Sequence, residues 1–368
     1  MVIIFRRRTD SNTVVLFIQR ETYYNAHMEN SVEQFNYNLP PDHIAQTPAN
    51  PRESAKLMVL HRNSGKTEHY HVSDIPDLFK SGDIVVVNNS KVFRARLHGK
   101  LGTITVELFL VKPVTQNTWL ALGKPGKKFV PGEHVVIAPD FTATIEEKHK
   151  DGTITVSFDY PPEQVIAKAN KYGDIPVPPY IKSIPKNGEY QTVYASRVGS
   201  VAAPTAGFHL TKNILSLLKK NGVKIVEITL HVGLGTFMPI KSETINEHTM
   251  HSEWVEVSGD AAETISDAKK NKKRVIAVGT TTVRTLEGVA SLHGGRLIPF
   301  SGDINIFITP GFHFHVIDAM LTNFHLPKST LIVLISAFAG IHHVLEAYRE
   351  AVLRNYRFYS FGDAMFIV

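Results

Sequence analysis

The stretch that most constrains this chain is KIVEITLHVGLGTF, residues 224–237. Ile225, Val226, Ile228 and Leu230 are β-formers in a short apolar run, which predicts a strand. The strand gives way to a glycine turn at Gly233 and Gly235, with His231 at the junction. Loops at the carboxyl ends of such strands carry polar groups on a rigid base, so chemistry is often housed there. A glycine turn after a strand is also an ordinary tight turn. What gives this one weight is recurrence: RVIAVGTT (274–281) is a second apolar strand, ending in Gly-Thr-Thr.

The rest of 159–368 alternates in the same way. Thr211 is placed to cap a helix running to Lys220, which Asn221-Gly222 ends. Further helices are expected over 261–270, 283–292 and 341–354, and a buried strand over 331–336. Upstream, strands are expected at 56–60 and at DIVVVNN (83–89). Asn88 and Asn89 at its end either cap the next turn or offer hydrogen bonds to a ligand. Repeated βα units favour a mainly parallel sheet or an open, barrel-like α/β domain.

Residues 92–158 break the pattern. Short alternating segments (TITVELFLV, TWLALG, HVVIAP, TATIEEK, TITVSFDY) are separated by Gly, Pro, Asn or Asp, without a helical period. That spacing predicts a small β-barrel or compact sheet inserted into the α/β domain. The α/β domain is then discontinuous, 31–91 and 159–368, with a proline-rich return over 172–195. Residues 1–30 read as an N-terminal extension, disordered or loosely docked. A start of translation at Met28 is preferred, with the first 27 residues upstream of the native protein. Intact mass of protein from its host would test this.

The chain contains no cysteine among 368 residues, which excludes disulfides, thiolate zinc sites, iron–sulfur clusters and a cysteine nucleophile. No apolar run nears the roughly 20 residues that span a bilayer. The net charge of +6 is a mild bias toward polyanions. Lys124, Lys127 and Lys128 lie in one turn between barrel strands, suited either to a phosphate backbone or to water.

Polar clusters gather at strand ends and loops. They include Thr205 to His209, His231 to Thr236, EHTMHSE (247–253), GTTTVR (279–284), TNFHLP (322–327) and YSFGDA (359–364). A helix opening after Gly-Thr-Thr presents free N–H groups to an anion, with Arg284 one turn in. His248 and His251, flanked by Glu247 and Glu253, form a weak metal signal without H-E-x-x-H. No GxSxG elbow, Walker A loop or GxGxxG opening a βαβ unit is present.

Seven segments together carry more than any one of them: VAAPTAGFH (201–209), TLHVGLGTF (229–237), HTMHSE (248–253), RVIAVGTTTVRTLE (274–287), TNFHLPKSTL (322–331), SAFAG (336–340) and YRFYSFGDAMF (356–366). In this order they closely resemble the S-adenosylmethionine:tRNA ribosyltransferase-isomerase family of queuosine biosynthesis, from about Phe35 to the end of the chain. The resemblance implies an α/β catalytic domain interrupted by a small β-barrel. It implies transfer and isomerisation of the ribosyl part of S-adenosylmethionine onto 7-aminomethyl-7-deazaguanine at the wobble position of a tRNA with a GUN anticodon. The product is epoxyqueuosine, with adenine and methionine released. It further implies no metal or additional cofactor, and a monomer; the absence of cysteine fits a reducing cytoplasm, and the lack of a long apolar run leads us to expect no membrane contact.

Such chemistry needs a base for the C5′ hydrogen beside the sulfonium, a proton donor for adenine and a deprotonated attacking amine. His209, His231, His251 and Asp363 are the candidates for proton transfer. Thr280, Thr281 and Arg284 are candidates for the methionine carboxylate or ribose hydroxyls. Asn88, Asn89, Arg96, Thr205, Gly233, Gly235, Thr236, Glu253, Asn323 and His325 complete the candidate substrate cleft. Each histidine has a structural hydrogen-bonding role as its competitor. Where the family pattern reads NNTRVIPAR, this chain has Asn88-Asn89-Ser90-Lys91-Val92-Phe93-Arg94-Ala95-Arg96. Lys91 keeps the charge but loses the planar fork. Phe208 stands where leucine is usual. Two rival readings are a tRNA-binding protein without chemistry and a His/carboxylate metallohydrolase on 247–253.

Overall fold

The computed structural model describes residues 30–182, 185, 188–233 and 240–368. The expectations for residues 1–29 and for Gly235 and Thr236 fall outside the described residues.

The chain opens with β1 (Lys56–Leu60), β2 (Thr67–His71), the short helix α1 (Ile75–Leu78), β3 (Ile84–Asn88) and β4 (Ser90–Val92). It then enters a closed barrel of β5 (Arg96–Leu101), β6 (Ile104–Pro113), β7 (Thr118–Lys124), β8 (His134–Ala138), β9 (Phe141–Lys148) and β10 (Thr153–Ser157). Helix α2 (Pro162–Tyr172) follows, and the chain returns through β11 (Arg197–Ser200). The remainder is α3 (Lys212–Lys220), β12 (Lys224–Leu230), β13 (Glu253–Val257), α4 (Gly259–Lys270), β14 (Val275–Val278), α5 (Thr280–Leu292), β15 (Phe300–Ile304), β16 (Ala319–Asn323), α6 (Thr330–Ala339), α7 (Ile341–Leu353) and β17 (Ala364–Ile367).

Nine strands form one mixed sheet in the order β15-β13-β12-β3-β14-β16-β17-β1-β2. Its centre, β12-β3-β14-β16, is parallel. The apolar runs follow from burial on both faces. Along β1 and β3, Leu57, Val59, Val85 and Val87 pack with Ile214 and Leu218 of α3. Met58, Leu60, Ile84 and Val86 face the larger core with Val283 and Leu286 of α5 and Ile332 and Val333 of α6. Register is thus held by two apolar layers, and a one-residue slip would exchange them.

The inserted barrel is as expected, a closed six-stranded unit with its own core around Trp119, Phe141 and Leu108. That core also takes Val165 and Ala169 of α2, a helix beyond the alternating segments. The chain leaves along β4 and returns along β11, and these two pair in parallel as a clasp.

One expectation is overturned. Residues 331–336 are helix, the interior of α6, and not a strand. The run LIVLIS is apolar throughout, so its period could not decide. Ser329 Oγ accepts from the Ile332 N–H and starts the helix, and burial on nearly every side leaves no polar stripe. Among the described residues, no single helix is long and apolar enough to cross a bilayer.

Candidate functional site

From β3 the chain places β12 on one side, then β14 and β16 on the other. A crevice at the carboxyl ends is expected where the strand order divides in this way. A cleft open to solvent lies there. It is lined by Thr205 before α3, Val232 after β12, Gly279 to Thr281 after β14 and Thr322 to Leu326 around the end of β16. Tyr359 and Ser360 complete it, because β17 runs antiparallel to β16 and its entry turn falls at the same end. Tyr180 reaches in from the proline-rich return.

The first turn of α5 forms one wall. Gly279 has φ +88°, the left-handed region that a side chain would resist. Its carbonyl accepts the first helical bond, from Val283 N–H at 3.3 Å. The N–H groups of Thr280 to Thr282 therefore have no acceptor within the helix, which favours negative charge beside them. Asn88 locks this wall to the sheet: Nδ2 donates to the Leu230 carbonyl (3.0 Å) and to Thr281 Oγ1 (3.4 Å), while Oδ1 accepts from the Leu230 N–H at 3.0 Å.

The opposite wall is a hydrogen-bonded chain. Thr205 Oγ1 donates to Asn323 Oδ1 at 3.5 Å. Asn323 Nδ2 donates to the Tyr359 carbonyl (3.0 Å) and to His209 Nε2 (3.3 Å). His209 is therefore an acceptor at Nε2 and neutral. Burial, then the nearby Arg52 and Arg357, hold its pKa down to about 3. It lies behind Asn323, against Phe208 and Phe361, outside the cleft lining. His325 does line the cleft. Its N–H donates to Tyr348 Oη (3.0 Å), its carbonyl accepts from Tyr37, and Nε2 lies 3.0 Å from Thr322 Oγ1. Burial lowers its pKa to about 3. No Lys, Arg, Asp or Glu is among the described lining residues, and His325 is uncharged at neutral pH.

Other candidates sit elsewhere. His231 stacks on Trp254, ring centroids 5.0 Å apart, and a Cβ on Gly199 would lie 2.7 Å from its Nε2. Its pKa falls to about 4 through burial and Arg197. Asp363 is 2% exposed and accepts from the Lys56 and Arg357 N–H groups and from Arg357 Nη2, at 2.8–3.2 Å. Arg284 is buried and paired with Glu253, whose other oxygen accepts from the Gly233 N–H at 3.0 Å. That pair fixes the backbone at Gly233. Asn89 bonds Glu227 and Thr229, and Arg96 pairs with Glu107 at 3.2 Å on the barrel. His251 is exposed, and His248 packs edge-on to Phe307 at 5.3 Å. Among the described residues, no group of three or more His, Asp or Glu is arranged to hold a metal. Lys124, Lys127 and Lys128 are exposed on the barrel.

Sequence reasoning missed Tyr180, Thr322, Tyr359 and Ser360 as cleft residues. Tyr359 and Ser360 stand in the motif from which only Asp363 was chosen. Tyr180 had no local signal beyond an aromatic among prolines.

Fold and site define an α/β protein with an inserted barrel and a cleft whose described lining carries no Lys, Arg, Asp or Glu. The family model described as queuosine biosynthesis protein matches residues 32–367, and the chain belongs to that family. It is 46% identical over 345 residues to the S-adenosylmethionine:tRNA ribosyltransferase-isomerase of Moorella thermoacetica, covering 92% of this chain and 99% of that one. The enzyme of the same name from Thermotoga maritima is 44% identical over 338 residues, with the same coverage. A crystal structure of S-adenosylmethionine tRNA ribosyltransferase from Thermotoga maritima aligns with a TM-score of 0.53 at 36% identity, covering 91% of this chain and all of that one. The resemblance read from the motifs and the α/β fold with its inserted barrel are both borne out.

Proposed function

We propose that the cleft transfers and isomerises the ribosyl part of S-adenosylmethionine onto 7-aminomethyl-7-deazaguanine at the wobble position of tRNA. The product is epoxyqueuosine-tRNA, with release of adenine and methionine. The observation that carries this reading is family membership over nearly the whole chain, joined to a cleft at the carboxyl ends of the parallel strands.

The cleft's chemistry fits the reaction. The sulfonium acidifies the neighbouring C5′ hydrogens, so the reaction needs a base beside them. His325 lines the cleft as a neutral hydrogen-bonding group, and its pKa of about 3 suits it to positioning and not to taking that proton. The open N–H groups at the start of α5 suit the methionine carboxylate. Closing such a cleft over the nucleoside would exclude water from the departing adenine and the incoming amine. The reading takes S-adenosylmethionine as co-substrate, with no further cofactor. It takes tRNA with a GUN anticodon as acceptor, the lysines of the barrel turn as phosphate contacts, and a monomer in the cytoplasm.

The test is incubation with S-adenosylmethionine and tRNA carrying the aminomethyl base. Equimolar adenine and methionine with a modified nucleoside is the expected outcome. Formation of S-adenosylhomocysteine would refute ribosyl transfer, and stable tRNA binding without adenine release would favour the non-catalytic reading.

A further inference from the structure

The turn entering β17 contains a residue in a conformation it would not choose. Tyr359 has φ +72°, which a bulky side chain adopts only when its surroundings force it. Of the other three described non-glycine residues with positive φ, Lys272 and Asn355 directly follow helix caps, where such geometry is ordinary, and Lys328 stands in the turn before α6. Tyr359 instead lines the cleft.

Three hydrogen bonds to its backbone hold it. Its N–H donates to the Phe324 carbonyl (3.1 Å), and its carbonyl accepts from Asn323 Nδ2 (3.0 Å) and from the Gly362 N–H (2.9 Å). The turn closes so tightly that a Cβ at Gly362 would lie 2.5 Å from the Arg357 carbonyl oxygen. Glycine at 359 would make the same turn without strain. The strain therefore secures a ring at this point, and strain held by its surroundings in a cleft points to function.

The ring it secures has a partner. Tyr180 lies 4.7 Å away, centroid to centroid, at 49°. Tyr180 Oη is fixed by Ser360 Oγ at 2.7 Å. Both tyrosines line the cleft that also holds the open end of α5, with Phe324, Leu326 and Leu331 among its apolar lining. One cleft thus offers an aromatic wall and a site favourable to an anion. S-adenosylmethionine carries an aromatic ring and a carboxylate at opposite ends of one ribose.

We propose that Tyr359 and Tyr180 form the wall against which the adenine ring of S-adenosylmethionine stacks. The inference rests on the function proposed above, and it makes the two tyrosines positioning residues for the departing base.

Equilibrium dialysis of labelled S-adenosylmethionine against the full chain tests it. Tyr359→Phe and Tyr180→Phe keep the ring and are expected to bind within about two-fold of wild type. Tyr359→Leu and Tyr180→Leu are expected to raise Kd roughly 10- to 100-fold, the range of base–aromatic stacking. KM for S-adenosylmethionine should rise with Kd while kcat changes less. Thermal melting of each free variant identifies any that fails to fold; Tyr180→Leu lies outside the strained turn and keeps the test open. Leucine variants that fold and bind S-adenosylmethionine like wild type overturn the proposal. So does a loss confined to tRNA affinity, which would give the wall to the acceptor base. Wild type that binds no S-adenosylmethionine would instead overturn the underlying function.

Discussion

Lowering the pH from 7 to 5 should destabilise the large sheet through two buried histidines. His209 and His325 are 5% and 7% exposed. Burial lowers both pKa values to about 3, from an ordinary 6.5. In the unfolded chain each takes up a proton as pH falls through 6.5, while the folded sites stay neutral until about pH 3. Protons therefore favour unfolding throughout that window, and stability present above pH 6.5 is lost below it. Between pH 7 and 5 the linkage removes about 2 kcal/mol per histidine, or about 4 kcal/mol for both. That is a large share of a typical folding free energy of roughly 5–15 kcal/mol. The chain has two tryptophans, Trp119 in the barrel and Trp254 in the sheet. Urea unfolding followed by Trp254 fluorescence in a Trp119→Phe background reads the sheet alone. His209→Gln and His325→Gln should each be less stable at pH 7, yet lose about 2 kcal/mol less than the parent on going to pH 5. An identical loss in variant and parent would refute the reasoning, since neither histidine would then be held neutral.

Glu253→Ala should cost about 3–5 kcal/mol, because it strands the buried Arg284 guanidinium; urea denaturation measures this, and Glu253→Gln with Arg284→Met should recover much of it. A loss below about 1 kcal/mol would mean that water, not Glu253, satisfies the arginine. Replacing Lys124, Lys127 and Lys128 with alanine should weaken tRNA binding and flatten the plot of log K against log salt by roughly 2–3 units. An unchanged slope would remove that turn from the tRNA interface.

The parts of the fold legible in the chain were those with a local cause. The strand at 224–230, the cap at Thr211 and the alternating barrel strands need only period, turn residues and short-range hydrogen bonds. Helix α6 was misread because a segment buried on nearly all sides has no period to show. The site was legible as a set of loops and not as a set of side chains. Asp363 and His231 look like chemistry in sequence. Only the fold reveals that the first is engaged by Arg357 and Lys56 and the second lies under Trp254. Tyr359 depends on a backbone angle imposed by Asn323, Phe324 and Gly362, which no local pattern announces.

The parallel pairing of β1 with β17 sets a timetable for the molecule during synthesis. Leu57 emerges early from the ribosome, but its partner Ala364 emerges only after the barrel and the rest of the sheet. The barrel pairs its strands among themselves, so it can fold while the sheet still waits. Until β17 arrives, β1 and β16 each keep an open edge, exposed to pairing with other chains. The turn that bears Tyr359 and Ser360 precedes β17, so the cleft wall they form is set only when β17 has taken its place between β1 and β16.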